Sequence, residues 1–196
     1  MLALAPAPEP APRRQLFVGT SIASAAGAML IGGMLALWMR FRHDAMAGPD
    51  HRWVPEKIKV PMVAANIMLL TFIGICIFAQ WAVYAAKRDD KQHVGIALGL
   101  TALLGLAAIN AQVTVYVQMA LPIRSATGSA YGVMFYALTG TMLALFIVGI
   151  AFSLVTAFRY LGGRTSDREI VTAHAIYWYF MAAAFSMLWF VVYVTK

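Results

Sequence analysis

The eight carboxylates of this chain, Glu9, Asp44, Asp50, Glu56, Asp89, Asp90, Asp167 and Glu169, all fall between five long apolar runs, and none falls inside one. An ionisable side chain at membrane depth is costly, and where one persists it marks a proton relay, an ion site or a counter-ion. Apolar runs this free of acids predict helices that cross a membrane and pack against one another, rather than the core of a pump. The composition leaves no room for a soluble alternative: 196 residues that are 62% hydrophobic and 12% charged cannot surround one core with a polar surface. The fold class read from these runs is all-α, a polytopic membrane bundle of five transmembrane helices.

The runs extend from Leu16 to Met39, Val60 to Ala86, His93 to Leu121, Ser125 to Phe158 and Ile170 to Thr195. Each reaches the roughly 20 residues that cover about 30 Å of hydrocarbon. Pro49, Pro55, Pro61 and Pro122 lie in loops or at helix ends, and no span interior contains a proline, which argues against broken-helix transporter architecture. Residues 1–14 alternate Ala and Pro before Arg13 and Arg14, so they read as an extended tail without the charge-then-apolar order of a cleaved signal. Residues 15–196 form the five-helix domain.

A net charge of +7 raises the question of nucleic acid, but the cations sit at span ends, where they reach headgroups or set topology. The tail, second loop and fourth loop share one side and carry eight of the 15 Lys and Arg, against seven opposite. Their clustering in short loops predicts a cytoplasmic N-terminus in a bacterial inner membrane. Membrane lipids, and not nucleic acid, are the predicted contacts of these cations.

Helices in lipid associate through close approach at small residues and through a few interhelical hydrogen bonds. Gly19, Ala23 and Gly27 on the first helix, Gly95 and Gly99 on the third, and Gly128 and Gly132 at the fourth have that spacing. Asn110, Gln112, Thr114 and Gln118 on the third helix, with Asn66 and Gln80 on the second, are predicted to bond between helices; a quinone or other polar ligand could use the same groups. Cys76 stands alone in mid-span, so it offers no disulfide and reads as a buried filler. Haem or copper needs convergent imidazoles, and the four histidines, His43, His51, His93 and His174, are spread over a loop, a span entrance and the last span. No catalytic, cofactor-binding or metal-binding residue is predicted in this chain.

In the fourth helix, Tyr131, Gly132, Phe135, Thr139 and Gly140 lie in a segment that resembles the "YGSxFFxLTG" element of haem–copper oxidase subunit III. Tyr177, Trp178 and Phe180, followed by Tyr193, resemble that family's closing "YWHFVDVVW…FxxxY" helix. Gln112 and Tyr116 fit its "QxxEY" element, and Arg42 fits the arginine that ends the first helix of five-helix bacterial members. The departures fall on ionisable positions. Counting back from Arg42 places Gly27 at a family glutamate, Val115 replaces the glutamate of "QxxEY", Met142 and Leu145 replace histidines, and Tyr179 and Ala182 replace the histidine and aspartate of "HFVD". The resemblance implies a noncatalytic subunit of a respiratory cytochrome c oxidase. Such a subunit packs on subunit I alongside subunit II, binds phospholipid, and supports oxygen reduction and proton pumping whose haem and copper sit in partner subunits. Two alternatives stay open: an accessory subunit of a quinol oxidase or nitric oxide reductase, and a stand-alone membrane binding protein or carrier.

Overall fold

The computed structural model describes residues 14–56, 58–119, 121, 129–163 and 168–195. Among the described residues, five helices are long and apolar enough to cross a membrane: α1 (Gln15–Ala47), α2 (Met62–Lys87), α3 (Lys91–Met119), α4 (Ala130–Leu161) and α5 (Arg168–Leu188), the last continuing through a π-helical turn at Trp189–Val194. All regular structure among the described residues is helical, as the uncharged runs predict. At 1.5 Å per residue the 26 residues of α2 extend about 39 Å, enough to cross the hydrocarbon and enter both headgroup layers. Residues 1–13 of the tail and the Gly128 end of one small-residue pair lie outside the described residues.

Local chemistry sets the boundaries. Pro61 precedes α2, and Ser129 caps α4 by accepting the Gly132 N–H at 3.1 Å. Asp90 starts α3 by accepting the His93 N–H at 3.1 Å. At the end of α4, Gly163 has φ +107, a conformation that a side chain would strain. Helix α1 runs beyond the predicted Met39 to Ala47, because Arg40 and Asp44 form an i,i+4 pair at 2.9 Å on an exposed polar extension. His43 therefore lies on a helix and not in the loop assigned to it.

Helices α2 and α3 form a tight hairpin, α4 packs on α3, and α5 touches α1, α2 and α4. The buried share of the spanning window is 44% for α5 and 22% for α1, so α5 is the central post and α1 a peripheral stave. At the middle of the bundle Phe72, Phe146 and Phe185 pack with ring centroids 5.1 to 6.3 Å apart, and Trp178 lies 6.5 Å from Phe72. Large apolar side chains such as Ile22, Met29, Leu70, Leu103, Val117 and Phe158 point outward, a surface suited to lipid or to protein partners and not to water.

Candidate functional site

Two polar centres lie inside the bundle, one against the first loop and one beside the mid-bundle Phe72 cluster. The first gathers residues from α1, the first loop, α3, α4 and the closing turn. On α3, Gln112 and Tyr116 are one turn apart, and on α4 so are Tyr131, Phe135 and Thr139. Tyr116 donates to Thr139 Oγ1 at 2.9 Å, and Thr139 donates to the Phe135 carbonyl at 2.7 Å. The Phe135 ring lies 6.0 Å from Tyr131, 6.2 Å from Tyr116 and 6.4 Å from Tyr193. The Gln112 amide sits beside the hydroxyls of Tyr116 and Tyr193. Over this group the loop residue Trp53 folds back, packing edge-on against Trp38 at 5.0 Å and against Tyr131 at 5.5 Å. Six residues singled out by the sequence resemblance, Gln112, Tyr116, Tyr131, Phe135, Thr139 and Tyr193, thus form one buried or half-buried assembly.

The second centre surrounds Trp178. Its indole N–H is shared between Ser153 Oγ at 3.1 Å and His174 Nε2 at 3.0 Å, and Ser153 Oγ lies 2.7 Å from the same imidazole nitrogen. The ring fits because two glycines leave space for it. A Cβ on Gly149 would stand 2.9 Å from Trp178 and 2.9 Å from Tyr177, and one on Gly105 would stand 3.1 Å from Trp178. The Tyr177 hydroxyl donates to the Leu145 carbonyl at 2.7 Å. His174 is therefore a fully buried structural histidine tied to its own helix and to α4.

The remaining motif residues are scattered. Gly27 packs on Phe180, whose Cζ would lie 2.6 Å from an added Cβ. Gly19 has nothing within 4 Å and Ala23 is exposed, so the first-helix seam consists of Gly27 against α5 and not of the three-residue repeat. Gly140 and Gly99 also face open space, while Gly95 meets Leu161 at 3.3 Å. Arg42 is half-buried, one turn beyond Trp38. Asn66 accepts from Trp189 at 2.9 Å and Gln80 accepts from Tyr179, so the polar residues of α2 do join α2 to the last helix. On α3 the expectation fails in part: Asn110 and Gln118 point outward, and Thr114 bonds its own backbone at Asn110. Cys76 is half-exposed and not buried filler.

At the face opposite the Trp53 end, Glu169 of α5 accepts the Phe17 N–H at 2.9 Å, satisfying a first-turn donor that α1 cannot cap itself. Arg168 pairs with Asp89 at 2.6 Å, fastening α5 to the α2–α3 turn. Beside these contacts Arg14, Lys87, Arg168 and Glu169, with Phe17, Val83, Ala86 and Thr172, line a groove of about 390 Å³. The Asp90 carboxyl is held below its ordinary range chiefly by the His93 backbone N–H, with burial opposing and the His93 ring assisting. Among the described residues no group of three or more His, Cys, Asp or Glu could hold a metal ion.

The family model for cytochrome c oxidase subunit III matches residues 34–196, which include both polar centres. The chain belongs to the cytochrome c oxidase subunit III family. It is 24% identical over 178 residues to cytochrome c oxidase subunit 3 of Corynebacterium diphtheriae, covering 90% of this chain and 86% of that protein. A probable cytochrome c oxidase subunit 3 of Rickettsia bellii is 30% identical over 155 residues, covering 72% and 52% respectively. The Bos taurus subunit 3 is 27% identical over 166 residues, covering 79% and 59%. Membership makes the chain a multi-pass, subunit III-like oxidase component. Trp38, Trp53, Gly105, Gly149 and Ser153 escaped the sequence reading, although the Gly149–Ser153 spacing of four is the small-residue signal sought elsewhere.

Proposed function

We propose that this chain is the noncatalytic subunit III of a respiratory haem–copper oxidase in a bacterial cytoplasmic membrane. It packs on subunit I, with subunit II in the same assembly, and has its N-terminus in the cytoplasm. The observation that carries this reading is the convergence of Gln112, Tyr116, Thr139, Phe135, Tyr131 and Tyr193 in one core. Such a core fixes the register of three segments through ring packing and side-chain hydrogen bonds. Haem and copper then belong to the partners, and the outward apolar side chains of α1 to α4 supply the surface for partners and acyl chains. The groove lined by Arg14, Lys87 and Arg168 against the one carboxylate of Glu169 supports a phospholipid role, since a net positive rim above an apolar wall matches an anionic headgroup above its chains.

The contribution to proton pumping is structural in this reading. Gly27, Val115, Met142, Leu145 and Ala182 cannot carry a proton, and Tyr179 is engaged with Gln80. Purification through a tag on this chain in mild detergent tests the assignment. Co-migration with haem-bearing subunits is expected, and a chain that migrates alone from membranes rich in oxidase would overturn it.

A further inference from the structure

The amide side chains of α2 and α3 meet different fates. Asn66 accepts from Trp189, Gln80 accepts from Tyr179, and Gln112 is buried. Gln92 and Gln118 are exposed, each 13 residues from Gly105, the midpoint of α3. At 1.5 Å per residue that is about 20 Å, beyond the hydrocarbon half-thickness of about 15 Å. Asn110 is exposed too, but it stands five residues from Gly105. Its amide therefore lies about 7.5 Å from the helix midpoint, at hydrocarbon depth. The Thr114 hydroxyl bonds the Asn110 backbone carbonyl at 2.9 Å and not its side chain.

Acyl chains cannot meet the donors and the acceptor of an amide, so in lipid such a group draws a polar partner from a neighbouring helix. The positions around Asn110 suit a helix. Gly99, Leu103, Leu106, Asn110, Val113 and Val117 are all exposed and recur at alternating steps of four and three. That repeat lets two transmembrane helices pack along their length at a small left-handed angle. The four aliphatic side chains are between 45% and 72% exposed, and a Cβ on Gly99 would meet nothing within 4 Å, so the face is bare in the single chain. Leu103, Asn110 and Val117 take one core position of successive heptads, and Gly99, Leu106 and Val113 take the other. A lone Asn among apolar core positions sets the register and oligomeric state of paired parallel helices.

The depth of Asn110 selects the occupant. Every copy of this chain enters the membrane in the same orientation. About a two-fold axis along the membrane normal, Asn110 of one copy then meets Asn110 of a second copy at the same level. An amide carries both donors and an acceptor, so the two complete each other. Any other helix would have to carry a polar group at that level independently. We propose that the outward face of α3 is a self-association surface, on which two copies of this chain pack in parallel with their Asn110 amides hydrogen-bonded across the axis. Leu103, Leu106, Val113 and Val117 surround that contact. The surface is independent of the oxidase assignment, since it uses only this chain.

Oxidative cross-linking of the full chain in its native membrane tests the proposal. Leu106→Cys and Val113→Cys, each combined with Cys76→Ser, should give a disulfide-linked product of twice the 21.3 kDa chain mass. Ile77→Cys and Ile147→Cys, on exposed faces of α2 and α4 near their midpoints, should not. Adding Asn110→Ala should slow dimer formation about three- to thirtyfold, the range for one interhelical hydrogen bond in lipid, and Asn110→Gln should restore most of the rate. Asn110 is exposed, so neither change touches the packing within the bundle. Leu106→Cys and Val113→Cys chains that link only to a different polypeptide, or no faster than the Ile77 and Ile147 controls, would overturn the surface. Dimers that form as fast with Asn110→Ala as without it would overturn it as well.

Discussion

Gly149 and Gly140 stand on the same helix, nine positions apart, and the structure assigns them opposite responses to one added methyl group. On Gly149 a Cβ meets the Trp178 ring at 2.9 and 3.0 Å and the Tyr177 ring at 2.9 Å, whereas on Gly140 it meets nothing within 4 Å. Neither ring can yield easily, because Trp178 is tied to Ser153 and His174, and Tyr177 to the Leu145 carbonyl. Overpacking of this kind costs about 1–3 kcal/mol, and loosening the Trp178 hydrogen bond adds about 0.5–1.5 kcal/mol. Replacing an interior helix glycine by alanine returns up to about 1 kcal/mol. Gly149→Ala should therefore destabilise the bundle by about 0.5–3.5 kcal/mol, and Gly140→Ala should be neutral or stabilise it by up to about 1 kcal/mol. Unfolding of the purified chain in bicelles titrated with a denaturing detergent measures both. Equal responses, or a Gly149→Ala chain more stable than the wild type, would refute the glycine slot.

Gly27→Glu places its Cβ against the end of the half-buried Phe180, a ring that can swing aside, so sterics alone cost less than at Gly149. The added carboxyl without a partner costs about 1–3 kcal/mol, and the variant should attach more weakly to its complex by blue native electrophoresis. Normal assembly with faster proton uptake would instead identify Gly27 as a vacated acid site. At the entrance to α3, the Asp90 carboxylate has a folded pKa below its unfolded one, so its stabilisation is present above about pH 4 and is lost as pH falls through the folded value. The protection of the His93 amide, its exchange relative to the intrinsic rate at each pH, should fall on acidification through that range in the wild type and show no such step in Asp90→Asn. Single cysteines introduced at Ala7 and Thr195 should be labelled from opposite sides of the membrane, Ala7 from the cytoplasm. Labelling of both from one side would remove the odd number of spans.

The spans were legible because membrane crossing depends on length and the absence of charge, both of which are printed in the sequence. Where α1 ends was not legible, since the Arg40–Asp44 pair extends a helix past the hydrocarbon and hydropathy does not register it. The spacing rule for small residues found Gly27 but wrongly added Gly19, because spacing names a face of a helix and not what lies opposite. Gly105 and Gly149 were missed for the complementary reason: they serve one indole ring and not a helix-to-helix seam. Asn110 illustrates the same limit, since a polar residue on α3 can face Tyr193, as Gln112 does, or point outward, and only the rotation of the packed helix decides. The loop return of Trp53 onto Trp38 and Tyr131 joins distant segments, and nothing in the pattern around residues 49–56 announces it.

The central claim is that this chain supports an oxidase without holding its redox centres, and the most direct test is the absorption spectrum and metal content of the separated parts. The purified complex should show haem and copper in fixed proportion to this chain. When the chain is stripped off, the Soret band and the copper should remain entirely with the other subunits. A stoichiometric Soret band or copper retained by this chain after separation would contradict the account.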